Sequence, residues 1–130
     1  MMKTILMIDD SEVEQFLNEA IIQEFDPNIR ILKAYDGIEG LELLAELDFV
    51  PDAILLDINM PRMNGHEFLE EYSKTMGDAK VPVVVMLTSS EQHIDREKAQ
   101  KHECVKDYFL KPLNSAQLSE LMNLRQSVGL

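Results

Sequence analysis

Short apolar runs alternate with longer amphipathic ones along the whole chain. Ile5-Leu6-Met7-Ile8, Ile29-Arg30-Ile31-Leu32, Ala53-Ile54-Leu55-Leu56, Val83-Val84-Val85-Met86-Leu87 and Tyr108-Phe109-Leu110 have the length and composition of strands. Three of them are almost wholly apolar, as strands covered on both faces of a parallel sheet must be. In the first intervening segment Val13, Phe16, Leu17, Ala20 and Ile21 recur at i, i+3, i+4, i+7 and i+8. That is the spacing of a helix packed on a sheet, so these five side chains are expected to face inward.

Helix starts are marked by capping pairs. Ser11 with Glu14, Asp36 with Glu39, Asn64 with Glu67 and Asn114 with Gln117 each set a capping side chain three residues before Glu or Gln. The spacing predicts helices over 11–25, 37–47, 64–76, 90–102 and 114–126. Five βα units in succession predict an α/β fold with a five-stranded parallel sheet, right-handed crossovers and a helix layer on each face. No internal repeat, low-complexity tract or linker interrupts the pattern, and 130 residues suit one domain.

Composition narrows the class. With 45% hydrophobic residues, 5 Gly and 5 Pro, the chain can bury a core. The apolar run at 81–87 is far short of the roughly 20 residues that span a bilayer. Asp9 and Asp10 cut off the N-terminal apolar segment too early for a secretory leader. Cys104, the single cysteine, has no partner for an internal disulfide, which suits a reducing cytoplasm. The formal charge is −12, so a phosphate backbone is repelled and direct nucleic-acid binding is not expected. The acid is uneven: residues 91–130 hold six acids and six bases, which leaves the whole −12 in residues 1–90. Two surfaces with different jobs are expected.

In open α/β sheets ligands bind at the carboxyl edge, so the residues that close each strand carry the chemistry. The first strand closes on Asp9-Asp10, the third on Asp57, the fourth on Thr88-Ser89, and Lys111-Pro112 follows the fifth. Three neighbouring carboxylates repel one another unless a cation gathers them. Mg²⁺ suits such an oxygen set, with Mn²⁺ as the substitute. Asp10, Asp57 and the backbone carbonyl of Asn59 are the expected ligands, and Asp9 acts through a metal-bound water. Asp57, exposed at the edge yet held by its strand, can attack a phosphoryl group and form an acyl phosphate. Lys111 would neutralise the transferring oxygens, and Thr88 would donate a hydrogen bond to one of them. Pro112 fixes the backbone after Lys111, where a cis peptide would aim the ammonium inward.

Asp9-Asp10, Leu55-Leu56-Asp57-Ile58-Asn59-Met60-Pro61 with Gly65, Leu87-Thr88-Ser89 and Tyr108-Phe109-Leu110-Lys111-Pro112-Leu113 resemble the receiver domain of two-component response regulators. The resemblance covers essentially the whole chain. It implies a flavodoxin-like strand order of 2-1-3-4-5 and Mg²⁺-dependent transfer from a phosphohistidine, on a sensor histidine kinase or a histidine phosphotransfer protein, to Asp57. It also implies slow self-hydrolysis. By the same resemblance Asp9, Asp10 and Asp57 form the acidic pocket, Thr88 is the switch hydroxyl, Lys111 binds phosphate and Tyr108 is the switch aromatic. Asn59 and Ser90 would tune hydrolysis, and Ser89 is small enough to leave phosphate access open. His102-Glu103-Cys104 departs from the small Gly-Ala-type turn common in the family.

Phosphorylation would pull the Thr88 loop inward and let Tyr108 rotate in. The fourth helix, fifth strand and fifth helix would then respond, and the charge-balanced residues 91–127 are the expected contact for a downstream protein. The expectation is a single receiver domain over 1–130 without an output domain, cytoplasmic, not membrane-bound, a monomer or weak homodimer, and a phosphoacceptor rather than an enzyme. An Asp-nucleophile phosphohydrolase of the haloacid-dehalogenase type is disfavoured by Asn59, which stands where that class places its general acid. A pseudo-receiver that only binds partners is disfavoured by retention of the pocket positions. His66, His93 and His102 lack a zinc spacing and read as incidental. Met7, Met60 and Met86 read as core filling.

Overall fold

The computed structural model describes residues 2–76, 79–89 and 92–129. Ten elements alternate: β1 (Thr4–Ile8), α1 (Glu12–Phe25), β2 (Arg30–Ala34), α2 (Gly37–Glu46), β3 (Ala53–Leu56), α3 (Gly65–Met76), β4 (Val83–Thr88), α4 (His93–Gln100), β5 (Val105–Leu110) and α5 (Ser115–Ser127). The strands form one parallel sheet in the order β2-β1-β3-β4-β5. The chain leaves β1 and returns on both sides of it, so a crevice opens at the carboxyl ends of β1 and β3.

Strand side chains alternate between two cores. Ile5 and Met7 of β1 join Val83, Val85, Leu87, Ile22 and Leu121 on the α1/α5 face. Leu6 and Ile8 join Val84, Met86, Phe68, Leu69, Tyr72 and Ala99 on the α2/α3/α4 face. Each of the larger aliphatic, methionine or phenylalanine side chains among them contributes about 1.5–3 kcal/mol. Met7 and Met86 are fully buried and Met60 is packed against the second core, as expected of them.

All four predicted caps form. Ser11 Oγ accepts from Glu14 N (3.2 Å) and Asp36 Oδ1 from Glu39 N (2.9 Å). Asn64/Glu67 and Asn114/Gln117 are reciprocal boxes, the N3 side chain returning to the cap amide at 3.0 and 3.1 Å.

The inward face of α1 differs from expectation. Val13 and Phe16 are each 67% exposed and Leu17 49%, with Ala20 exposed and Ile21 half-buried. The buried positions are Gln15, Asn18 and Ile22. At 100° per residue the buried side lies about 160° around the helix from the expected one, and there Gln15 hydrogen-bonds the carbonyls at the carboxyl ends of β1 and β2. Two strands are also displaced from their predicted spans. β2 runs on through Lys33, whose ammonium meets Glu19 at 2.8 Å. β5 starts three residues early, because an edge strand tolerates polar Lys106 and Asp107; Lys106 is the extra residue where the β4–β5 register shifts. The fourth helix, predicted over 90–102, is His93–Gln100, and residues 101–104 form turns.

Candidate functional site

Asp57 follows the last residue of β3 and is anchored by its amide to Ile8 O at 2.9 Å. The chain doubles back immediately: Gly65 N donates to Ile58 O at 2.8 Å, and a Cβ on Gly65 would run into the Asp57 carbonyl oxygen. Glycine is therefore required at 65 for contact rather than for its φ angle. Asp57 Oδ1 accepts from the Ile58 amide at 2.8 Å, which sets the carboxylate's rotation. Asp57 is buried rather than exposed as expected, because the chain doubles back over it; Asp9 and Thr88 are buried too, Asp10 is exposed, and one oxygen from each of Asp9, Asp10 and Asp57 lies within 4.8 Å of the others.

Lys111 enters this cluster from the end of β5. Its Nζ lies 2.8 Å from Asp9 Oδ2, 3.4 Å from Asp57 Oδ2 and 4.0 Å from Glu14 Oε2. Its amide donates to Thr88 O at 2.9 Å, and the Lys111–Pro112 peptide is cis, as expected. Burial opposes the ammonium, yet its hydrogen bond to Asp9 and the charges of Asp57, Asp9 and Glu14 raise its pKa above the ordinary value. Burial and the neighbouring Asp9 push the Asp57 carboxyl up, while Lys111, the Ile58 amide and a hydrogen bond from Thr88 pull against that. One ammonium facing three carboxylates leaves a buried negative excess, the condition a divalent cation relieves. Oxygen-only donors at this separation suit a hard cation such as Mg²⁺ or Mn²⁺.

Asp9 is more constrained than its charge alone suggests. Its amide donates to Ala34 O (3.0 Å), its carbonyl accepts from Gln15 Nε2 (3.1 Å), Oδ1 accepts from Ser11 N (3.0 Å) and Oδ2 meets Lys111. Asp10, next along the chain, faces solvent. Asn59 and Ser89 are exposed beside the pocket, and Ser90 lies outside the described residues.

Tyr108 is buried in the α2/α3/α4 core, with the Arg96 guanidinium of α4 at 5.1 Å from the ring centroid. The histidines are not idle. His66 Nε2 meets Asp95 Oδ1 at 3.0 Å and Ser73 Oγ meets His102 Nδ1 at 3.1 Å, so both tie α3 to α4 or the turn after it. Sequence reasoning also passed over Gln15. Its signal was available: Gln15, Asn18, Ile22 and Phe25 form a second helical stripe.

The response regulator receiver domain family matches residues 5–123. Protein PilH of Pseudomonas aeruginosa is 30% identical over 122 residues, covering 94% of this chain and 96% of PilH. Other relatives are much longer: the chain spans 14% of the sensor histidine kinase CheAY of Helicobacter pylori, with 32% identity over 91% of its own length. A two-component response regulator from Cytophaga hutchinsonii superposes with a TM-score of 0.89 at 30% identity, covering 97% of this chain and 98% of that one. The Mn²⁺-bound form of response regulator Rcp1 superposes at 0.74 with 27% identity, covering 97% and 91%. Strand order, acidic crevice and these likenesses agree: the chain belongs to the response regulator receiver domain family of two-component signalling.

Proposed function

We infer that Asp57 is the phosphoacceptor of this receiver, and that the donor is a phosphohistidine on a sensor histidine kinase or histidine phosphotransfer protein. One observation carries the reading: a buried, backbone-anchored carboxylate at a strand end, held between a lysine ammonium and two further carboxylates. An Asp57 oxygen attacks phosphorus as the P–N bond breaks, and the electron pair returns to the donor imidazole. Lys111 is placed to compensate charge on the transferred oxygens, and Thr88 to donate to one of them. Asp10, Asp57 and the Asn59 carbonyl would hold Mg²⁺ or Mn²⁺, with Asp9 behind a bound water. That cation supplies charge neutralisation at the phosphoryl oxygens. By the family resemblance Asn59 and Ser90 would tune hydrolysis, and small Ser89, exposed here, would keep the approach open. Asn59 cannot act as a general acid, which supports a phosphoacceptor rather than a turnover phosphatase.

The exposed apolar stripe Val13, Phe16 and Leu17 starts one turn after Asp10. An apolar stripe on the surface beside an acceptor carboxylate suits the protein donor. Residues 91–127 follow Thr88 and include Lys111, and are read as the face for a downstream protein partner, with Tyr108 and α4 responding to the phosphorylated loop. No helix among the described residues is long and apolar enough to cross a membrane, which fits a cytoplasmic receiver.

Incubation with Mg²⁺ and acetyl phosphate tests the reading by intact mass and acid–base lability. Wild type should gain one alkali-labile phosphoryl group and Asp57→Asn none. Labelling that persists in Asp57→Asn, or none in wild type with Mg²⁺ present, overturns it.

A further inference from the structure

Gln15 is 1% exposed on the inner side of α1, in a position where a core leucine would be ordinary. Its Nε2 lies 3.2, 3.1 and 3.0 Å from the carbonyl oxygens of Met7, Asp9 and Ala34. We propose that Gln15 is a positioning residue for the divalent cation, its amide clamping the carboxyl ends of β1 and β2 so that Asp9 and Asp10 are presented in one fixed geometry. This rests on the acidic pocket being a cation site.

The β1–β2 pairing ends at Ile8 opposite Ala34, and the Asp9 amide makes one more bond to Ala34 O at 3.0 Å before the strands part. Three carbonyls converge where the strands part: Ala34 O already takes the Asp9 amide, and among the described residues the Asp9 carbonyl takes its hydrogen bond from buried Gln15 alone. A buried carbonyl without a partner costs about 1–3 kcal/mol. A side-chain amide brings two hydrogens to the three oxygens, one of them shared. Leucine would bring none, and glutamate would set anionic oxygen against carbonyl oxygen. Asparagine is one methylene too short. Gln15 Oε1 is itself buried with no partner among the described residues, so the clamp is kept at a cost.

The clamp reaches the pocket through the peptide plane. The Asp9 carbonyl and the Asp10 amide and Cα belong to one rigid unit. Holding the Asp9 oxygen therefore fixes the direction in which Asp10 leaves the chain. Asp9 has a partner on each polar atom, whereas Asp10 is exposed. The clamp thus acts on the carboxylate that would bind the ion directly. Outer contacts of this kind typically change metal affinity 10–100-fold.

Mg²⁺ titrations of wild type, Gln15→Leu, Gln15→Asn and Leu121→Ala, followed by amide NMR shifts without any phosphodonor, test the proposal. Hydrogen exchange at the Asp9 amide and thermal unfolding complete the measurement. Leu121 is buried on α5, in the core on the α1/α5 face, so its truncation reports lost stability alone. Gln15→Leu should weaken Mg²⁺ binding about tenfold and speed Asp9 exchange. Gln15→Asn should fall between Gln15→Leu and wild type, and it carries the test if the leucine variant does not fold. Leu121→Ala should lower Tm while leaving the Mg²⁺ constant unchanged. Unchanged affinity in both Gln15 variants overturns the clamp alone, as does a loss in Leu121→Ala matching theirs at equal stability. Absence of Mg²⁺ binding by wild type overturns the pocket reading and the clamp together.

Discussion

Helices α1 and α4 sit on opposite faces of the sheet, and the first is hydrogen-bonded to backbone whereas the second is held by other side chains. α1 runs 14 residues, buries two amides and one isoleucine, and presents three large apolar side chains to solvent. α4 runs eight, buries only Ala99, and leaves Ile94 58% exposed. What joins α4 to its surroundings is mainly polar: Asp95 to His66, Arg96 over Tyr108, and the Ser73–His102 contact just past its end. α1 is stitched to the backbone of the pocket itself, so it cannot move without disturbing Asp9. α4 is pinned by side chains at several points, each worth about 0.5–1.5 kcal/mol. A small bias from the Thr88 loop can shift such a helix. The receiver thus separates a rigid side, suited to accepting the phosphoryl group, from an adjustable side, suited to reporting it.

The comparison breaks most visibly if the α1 stripe is not where the donor docks. Phe16→Glu should cut phosphotransfer from a cognate phosphohistidine protein at least tenfold, about 1.4 kcal/mol or more, while acetyl phosphate labels Asp57 at the wild-type rate. Equal loss with both donors would place the defect in the pocket instead.

The rigid side should also carry electrostatic strain. The Asp57 carboxyl is held above its ordinary value of 3.8, chiefly by burial. A raised carboxyl pKa means the folded state binds that proton more tightly than the unfolded chain. Its contribution to stability is therefore fully present below pH 3.8 and is lost as pH rises through the raised value. Asp57→Asn, in the absence of divalent ions, should raise Tm at neutral pH by about 2–5 °C, with the gain shrinking toward acid. Thermal melts over pH 4–8 check this; a gain that does not depend on pH would argue against it. Asp52 has the opposite sign. Burial raises it, but the Lys3 and Thr4 amides and Arg125 outweigh that and lower its pKa. Its stabilisation is present above pH 3.8 and fades as pH falls through the lowered value.

The smallest effect sharpens the adjustable side. His66→Gln should cost about 0.5–1.5 kcal/mol and appear as faster amide exchange confined to α4. Asp9 exchange and Mg²⁺ affinity should stay at wild-type values. Faster exchange across α1 as well would mean the two helices are not independent.

Most of the pocket was legible because its residues close strands, and strand ends are visible as breaks in apolar runs. Asp9, Asp10, Asp57, Thr88 and Lys111 all stand where those breaks placed them. The caps were legible for the same local reason. The orientation of α1 was not: two helical stripes compete, and hydrophobicity selected Val13–Phe16–Leu17 although β1 and β2 needed the amide of Gln15. Nor were the histidine ties between α3 and α4, since they join residues 29 apart. The start of β5 escaped because an edge strand need not look apolar. Tyr108 is buried beside the Arg96 guanidinium, and its turning inward on phosphorylation belongs to the proposed function, since no strand-end break in the sequence speaks to it.

Asp52 gathers both ends of the chain. Its Oδ2 accepts from the amides of Lys3 (2.7 Å) and Thr4 (3.1 Å), and Oδ1 from Arg125 Nε of the last helix at 2.9 Å. This clasp lies at the amino edge of the sheet, one full strand length from the acidic crevice. A fluorescent reporter or affinity handle attached at either terminus would therefore hang from the opposite pole and leave the route to Asp57 clear.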